Sequence, residues 1–332
     1  MCNSFNKMKI KNFFKKAAAL LLIFLVMGIG TVLLVSCKKE EEMPDTHPKN
    51  FRYALRGENI AIMQYVGEEK IIKIPAVVSG LKVTFIAESA FAGTDVEKVF
   101  IPEGVTTIED LAFAGSKLMA VEIPASVTVI GKNPFQECRQ FSSIKVSEKS
   151  EHFKVENNLL LSKDGKRLIS STSYFPDDFA VPSGVEIIQD SAFCLAFNLK
   201  SVKLPAGLNE IEENAFMGSG VTRFEVAEGN PVFSAIDGVL YTDGGMTLFC
   251  YPPKKEGNFT IPSAVTKLAP AAFIYCAITE LDTASVEEIG DNCFERSGLE
   301  TLYINKKVNK IGKEIGFAAY NLSRIIVRLY QI

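Results

Sequence analysis

The chain has 332 residues, 47% hydrophobic and 23% charged, which is enough apolar material for a sizeable core and too much for a disordered chain. Net charge is −3; without residues 1–36, which hold five lysines and no acid, 31 basic residues face 39 acidic ones, and a net −8 gives nucleic-acid binding no support. Two histidines (His47, His152), no tryptophan and seven cysteines without a C-x-x-C pair leave almost nothing for a histidine triad or a multi-histidine metal site, so no catalytic residue, cofactor or metal is assigned.

Residues 7–16, KMKIKNFFKK, form a positive segment, and Ala17 to Val35 is uncharged and mostly apolar. It closes on Leu34-Val35-Ser36-Cys37, which resembles the lipobox of bacterial lipoproteins: branched apolar, small or apolar, small, cysteine. The resemblance implies a signal peptide over 1–36, with lipid transfer to Cys37 and a membrane attachment there. A plain transmembrane helix is the other reading of about 20 apolar residues. Met8 is an alternative start. Residues 37–50 read as a flexible tether, and Glu40-Glu41-Glu42 resembles the surface-export signal of some outer-membrane lipoproteins. The expected location is the outer membrane, lipid-anchored and facing outward.

Beyond the tether one motif recurs: IPEGVTTIEDLAFAGS, IPASVTVIGKNPFQEC, VPSGVEIIQDSAFCLA, LPAGLNEIEENAFMGS, IPSAVTKLAPAAFIYC. Its phenylalanines are Phe91, Phe113, Phe135, Phe193, Phe216, Phe273, Phe294 and Phe317, spaced 22, 22, 58, 23, 57, 21 and 23. The short steps are single coils, and the long ones are coils with an insertion. Both insertions, from Phe153 and from Phe233, read as β-hairpins around Lys163-Asp164-Gly165 and Asp243-Gly244-Gly245, and their offset of 80 recurs from Phe193 to Phe273. A period near 22 predicts a mainly-β repeat solenoid.

This pattern resembles the BspA-type leucine-rich repeat family, whose repeat reads roughly LxxIxIPxxVxxIGxxAFxxC. The match covers about residues 70–327. The resemblance implies a right-handed stack of leucine-rich coils over 72–332 with two inserted β-hairpins, preceded by an N-terminal hairpin over 51–71. It also implies a role in adhesion or protein binding.

Alternation predicts which residues of each strand turn inward: Val96, Val99 and Ile101; Leu118, Val121 and Ile123; Leu199, Val202 and Leu204; Leu299, Leu302 and Ile304. Prolines 75, 102, 124, 182, 205 and 262 end the strands, having no N–H to donate. Three residues past each phenylalanine the side chain is small in seven of eight coils, Tyr320 being the exception, so Cys138 and Cys276 read as buried ladder members rather than reactive thiols. Asp177-Asp178 lacks calcium-ligand spacing, His152 reads as a surface histidine, and Glu109-Asp110 and Glu212-Glu213 read as solvated charges. No GxGxxG, Walker loop, HExxH or GxSxG occurs.

The outward positions before the proline slot are Lys73, Phe100, Glu122, Lys145, Lys203, Glu225, Asp282, Tyr303 and Ile326. Phe100, Tyr303 and Ile326 are the expected exposed apolar contacts for a protein partner, possible on a host or neighbouring cell. Glycan capture is the alternative, and the lack of tryptophan counts against it.

Overall fold

The computed structural model describes residues 43–328, which from Pro44 on belong to one compact unit. Cys37, the signal segment and the first part of the tether lie outside the described residues.

Each coil has two β walls. The longer strands form the strand wall, in parallel and in register: Ile71–Lys73, Lys98–Phe100, Ala120–Ile123 and Ser143–Val146; then Asp178–Ala180, Ser201–Leu204 and Arg223–Val226; then Glu280–Asp282, Thr301–Asn305 and Arg324–Arg328. The inward residues expected from alternation are all buried. Five of the six prolines stand within two residues of a strand end, where their missing N–H costs no ladder bond. The second wall is made of two-residue strands such as Thr107–Ile108, Ile187–Ile188 and Glu288–Ile289. No single coil closes its own core; stacking of neighbours does.

A third ladder runs through the turn that carries the phenylalanine. The Phe91 N–H donates to the Ala112 carbonyl at 2.7 Å, and Phe193 N–H to Ala215 at 2.8 Å. The rings then stack, Phe91 on Phe113 at 5.0 Å and Phe193 on Phe216 at 5.2 Å and 3°. Two residues after the ring the backbone is left-handed: Gly115 has φ +65° and Gly218 +62°, while Leu195 and Tyr275 adopt the same region at a steric cost.

The last coil departs from the residue count. Phe294 N–H donates to the Ile315 carbonyl and Arg296 N–H to that of Phe317, which aligns Gly316 with Phe294 and Phe317 with Glu295. Phe317 is therefore one position past the anchor and 55% exposed, not a core residue as its spacing suggested. The same slip accounts for Tyr320: the small, buried position of this coil is Ala319.

The insertions carry the expected hairpins and one strand more. Phe153–Glu156, Leu159–Ser162 and Arg167–Ser171 form an antiparallel meander, as do Ser234–Ile236, Val239–Thr242 and Thr247–Cys250. The first turns, Asn157-Asn158 and Asp237-Gly238, have positive φ at both residues, as a two-residue hairpin of right-handed twist requires. The last strand of each meander then joins the second wall in parallel, pairing Leu168 with Ile188 and Leu248 with Leu268. Phe51–Arg56 and Asn59–Tyr65 make an opening hairpin that joins Leu81–Ile86 in the same way. The solenoid is thus three modules, each started by an antiparallel ribbon. The middle ribbons are buried on both faces: Leu160 and Ile169 pack into the first core, Leu159, Leu161 and Leu168 into the second.

Candidate functional site

The register of the strand wall carries the outward positions into rows. Lys73 lies beside Phe100, Phe100 beside Glu122, and Glu122 beside Lys145. Farther along, Lys203 lies beside Glu225, and Asp282, Tyr303 and Ile326 form a row of three. Tyr303 and Ile326 are therefore neighbours, while Phe100 belongs to another module.

Phe100 is not an exposed contact. It is only 7% accessible, because it is flanked in register by Lys73 and Glu122 and has the Lys98 ammonium 4.4 Å above its ring centroid. A lysine stem laid along an aromatic face covers apolar surface while its charge stays in water. Ile326 is 38% exposed, and Tyr303 is half-buried, with the Arg328 guanidinium 4.2 Å from its ring centroid. Arg328 also bonds the Asp282 carboxylate, so Asp282, Tyr303 and Arg328 form one fixed polar–aromatic cluster.

Beside this cluster the wall opens. An offset of 80 puts Asn258–Thr260 where Asp178–Ala180 pairs with Ser201–Lys203, yet among the described residues 258–260 joins no sheet. Phe259 still packs inward, its ring 4.8 Å from that of Tyr251, so the side chain is held while the backbone stands off. The result is a groove of ≈ 380 Å³ between Gly257–Phe259 and Ile278–Asp282, ending at Tyr303 and Arg328. Gly257, at φ +96°, takes the place of Asp177, whose carbonyl accepts from Lys200 N–H and Ser201 N–H at 3.0 and 2.8 Å. Sequence reasoning missed the groove and Arg328. The signals available were the glycine at the 80-residue offset and the outward phase of Arg328, two residues past Ile326.

Three of the four acids read as solvated charges, Glu109, Asp110 and Glu212, have partners. Glu109 binds Arg56 with both carboxylate oxygens and accepts the Glu88 N–H at 3.1 Å; Arg56 lies over Phe85 at 5.2 Å. The Arg56 guanidinium holds the Glu109 carboxyl below its ordinary range. Glu212 takes Arg167 at 3.0 Å and Lys132 at 3.3 Å. Each acid ties a ribbon arginine to a coil. Asp110 accepts the Lys132 N–H at 2.8 Å. Asp177 and Asp178 pair with Lys200 and Arg223 of following coils, at 2.7 and 3.3 Å. Among the described residues no group of three or more His, Cys, Asp or Glu side chains is placed to hold a metal ion. His152 is exposed.

Cys138 and Cys276 are buried ladder members, as expected. Cys138 donates to the Phe113 carbonyl at 3.0 Å, and burial pushes the two thiols up to about 11 and about 12. Burial likewise pushes Cys194 and Cys250 up to about 12.

The family profile described as "BspA type Leucine rich repeat region" matches in six copies over residues 69–159, 173–235 and 248–330. Among solved structures, a leucine-rich repeat protein from Eubacterium ventriosum is similar at 20% identity and a TM-score of 0.50, over 81% of this chain and 68% of that one. A leucine rich cell surface protein from Faecalibacterium prausnitzii aligns at 21% identity and a TM-score of 0.45, over 88% and 97% of the two chains. The pneumococcal vaccine antigen PcpA aligns at 19% identity and a TM-score of 0.44, over 85% and 81%. No curated protein matches. At these identities the structural likeness speaks for the fold alone.

Proposed function

Because this chain belongs to the BspA-type leucine-rich repeat family, we propose that it is a non-catalytic binding protein, tethered by lipid at Cys37 to the outer membrane and exposed at the cell surface, that engages a protein partner in adhesion. The observation that carries the binding reading is the break in the strand wall. The wall is three ladders of short strands; at Asn258–Thr260, where the third ladder has no strand beside Glu280–Asp282, it opens into a groove rimmed by Asp282, Tyr303 and Arg328, with Ile326 alongside. A concavity with a fixed aromatic and a fixed ion pair is a site that specific contacts use. The lipobox at the end of the apolar segment supports the anchor, and the acidic run Glu40–Glu42 supports outward export.

The test has two arms. Cys37→Ser is expected to abolish labelling with a radiolabelled fatty acid and to leave unprocessed precursor; unchanged labelling defeats the anchor. The fragment 44–332 is applied to arrays of host-surface proteins and of glycans. Binding to a protein that falls at least tenfold in Tyr303→Ala plus Ile326→Ala, and is unchanged in Val129→Ala on the second wall, supports the reading. Binding confined to glycans overturns the choice of partner, and binding that survives the double variant overturns the face.

A further inference from the structure

The groove is also a gap one strand wide. Glu280–Asp282 pairs with Thr301–Asn305 on one side, and among the described residues no strand pairs with its other side. The Thr301 N–H donates to the Thr279 carbonyl at 3.1 Å, and the Thr283 N–H to the Tyr303 carbonyl at 2.9 Å. Main-chain groups of a parallel strand alternate between its two sides, so Glu280 and Asp282 each aim an N–H and a C=O into the groove. In the preceding module Ser201 and Lys203 hold the same places, and both are used. The Ser201 N–H donates to the Asp177 carbonyl at 2.8 Å, and the Lys203 carbonyl accepts the Val181 N–H at 3.0 Å. The corresponding groups of Glu280 and Asp282 have no such partner among the described residues. This edge lies inside the solenoid and is open because Gly257–Thr260 stands off from it.

We infer that the groove takes an extended peptide segment that adds to Glu280–Asp282 as the missing strand, with a small residue at its centre and a basic residue on each side. The inference rests on the reading of the groove as the binding site and names the chemistry of its ligand. Three residues of strand are about 10 Å long, and ≈ 380 Å³ lies within the roughly 300–1,000 Å³ of ligand clefts. The centre must be small. A strand residue opposite Leu281 turns inward, as Phe179 does opposite Val202, and the inward place is already filled by the Phe259 ring, 4.8 Å from that of Tyr251 and 6.3 Å from that of Phe273. The flanking residues face outward beside Glu280 and Asp282. Asp282 is held by Arg328, whereas the exposed Glu280 carboxylate has no ion-pair partner among the described residues. A basic residue on each side of the centre meets Glu280 whichever way the segment runs, and opposite charges across a strand pair stabilise it. A second copy of this chain is a poorer occupant. Two-fold pairing centred on Leu281 sets Glu280 of each copy opposite Asp282 of the other, a like-charge contact made twice.

The probe is a fluorescein-labelled, end-capped peptide, Thr-Lys-Ala-Lys-Thr, titrated against fragment 44–332. Versions with leucine for the alanine, and with glutamate for both lysines, serve as controls. Saturable binding is expected, weakened by salt and at least tenfold tighter than for either control. Amide-resolved hydrogen exchange reads the backbone. In the free protein the Glu280 and Asp282 amides are expected to exchange at least tenfold faster than those of Ser201 and Lys203, and saturating peptide is expected to slow them at least tenfold. Glu280→Lys, which alters an outward side chain and leaves the backbone as it is, is expected to invert the preference between the lysine and glutamate peptides. Equal binding of all three peptides, binding without new protection at Glu280 and Asp282, or an unchanged preference in Glu280→Lys overturns the inference. So does slow exchange of these two amides in the free protein, which shows the slot closed by residues 258–260 themselves. A dimer whose formation protects them gives the slot to a second copy and overturns it as well. Peptide failure alongside partner binding that still depends on Tyr303 and Ile326 refutes this inference alone and leaves the binding face standing.

Discussion

Replacing Phe193 and Phe317 by alanine, one at a time, sets hydrogen-bond register against residue count. By count both are repeat phenylalanines. In the structure the Phe193 ring is fully buried, stacked on Phe216 at 5.2 Å and 5.6 Å from Phe175, whereas Phe317 is displaced outward by one residue. Truncating a buried phenylalanine costs roughly 3–5 kcal/mol. Loss of ring pairs, worth about 0.5–1.5 kcal/mol each, puts Phe193→Ala in the upper part of that range. An exposed side chain costs within about 0.5 kcal/mol, which is the expectation for Phe317→Ala. Urea denaturation followed by circular dichroism gives both numbers. Hydrogen exchange gives the place: a coil contacts its neighbours, so protection is lost first in the core built from Leu159 to Leu240 and last in the coils farthest from it, around Phe51 and around Ile304. A Phe317→Ala cost above about 2 kcal/mol, or exchange in Phe193→Ala that rises first at the far ends, refutes the reasoning.

Gly115→Ala is expected to destabilise by about 1–2 kcal/mol through its φ of +65° alone, since no atom lies closer than 4.0 Å to the added Cβ, while Gly184→Ala, also in open space but without positive φ, is near neutral; equal Tm shifts contradict the backbone argument. Cys138, Cys194, Cys250 and Cys276, with thiols raised to about 11–12, are expected to resist iodoacetamide at pH 8 and to react in urea; rapid native labelling of any one places it at the surface. Arg56→Gln is expected to lower Tm most at neutral pH. The folded Glu109 carboxyl is depressed by the Arg56 guanidinium, so its contribution is present above the unfolded glutamate range and is lost as pH falls through the folded value. The Tm gap between wild type and variant therefore narrows in acid, and a gap that widens below pH 4 runs against the assigned sign.

The coil was legible in the sequence because each coil repeats the same local code. Alternation in VEKVFIP or LKSVKLP says which side chains turn inward, the proline says where the strand stops, and the small residue after the ring says where the turn is crowded. The hairpins of the insertions were legible for the same reason. The turns inside their first arms were not: FKVENNLLLS and FSAIDGVLYT read as single arms, but Asn157-Asn158 and Asp237-Gly238 fold each back on itself, and only the structure shows that LISS and LFCY also pair in parallel with Ile187–Ile188 and Lys267–Leu268.

The candidate site was half legible. Period two put Tyr303 and Ile326 on the outward face, and only the register of the strands makes them neighbours. It equally put Phe100 outward, and there the flanking strands decided otherwise: Lys73, Lys98 and Glu122 belong partly to other coils, and one strand's alternation holds no information about what lies over it. Glu109 and Glu212 failed the same way, since their arginines come from 53 and 45 residues upstream.

The sequence by itself determined the repeat and the inward face, both properties of residues within about one coil of each other. Tertiary structure alone decided the one-residue slip at Gly316, the cover over Phe100 and the groove at Asn258–Thr260. The physical reason is that a solenoid encodes each coil locally, while burial at its surface, its junctions and its ends depends on which coil stacks beside it and in what register.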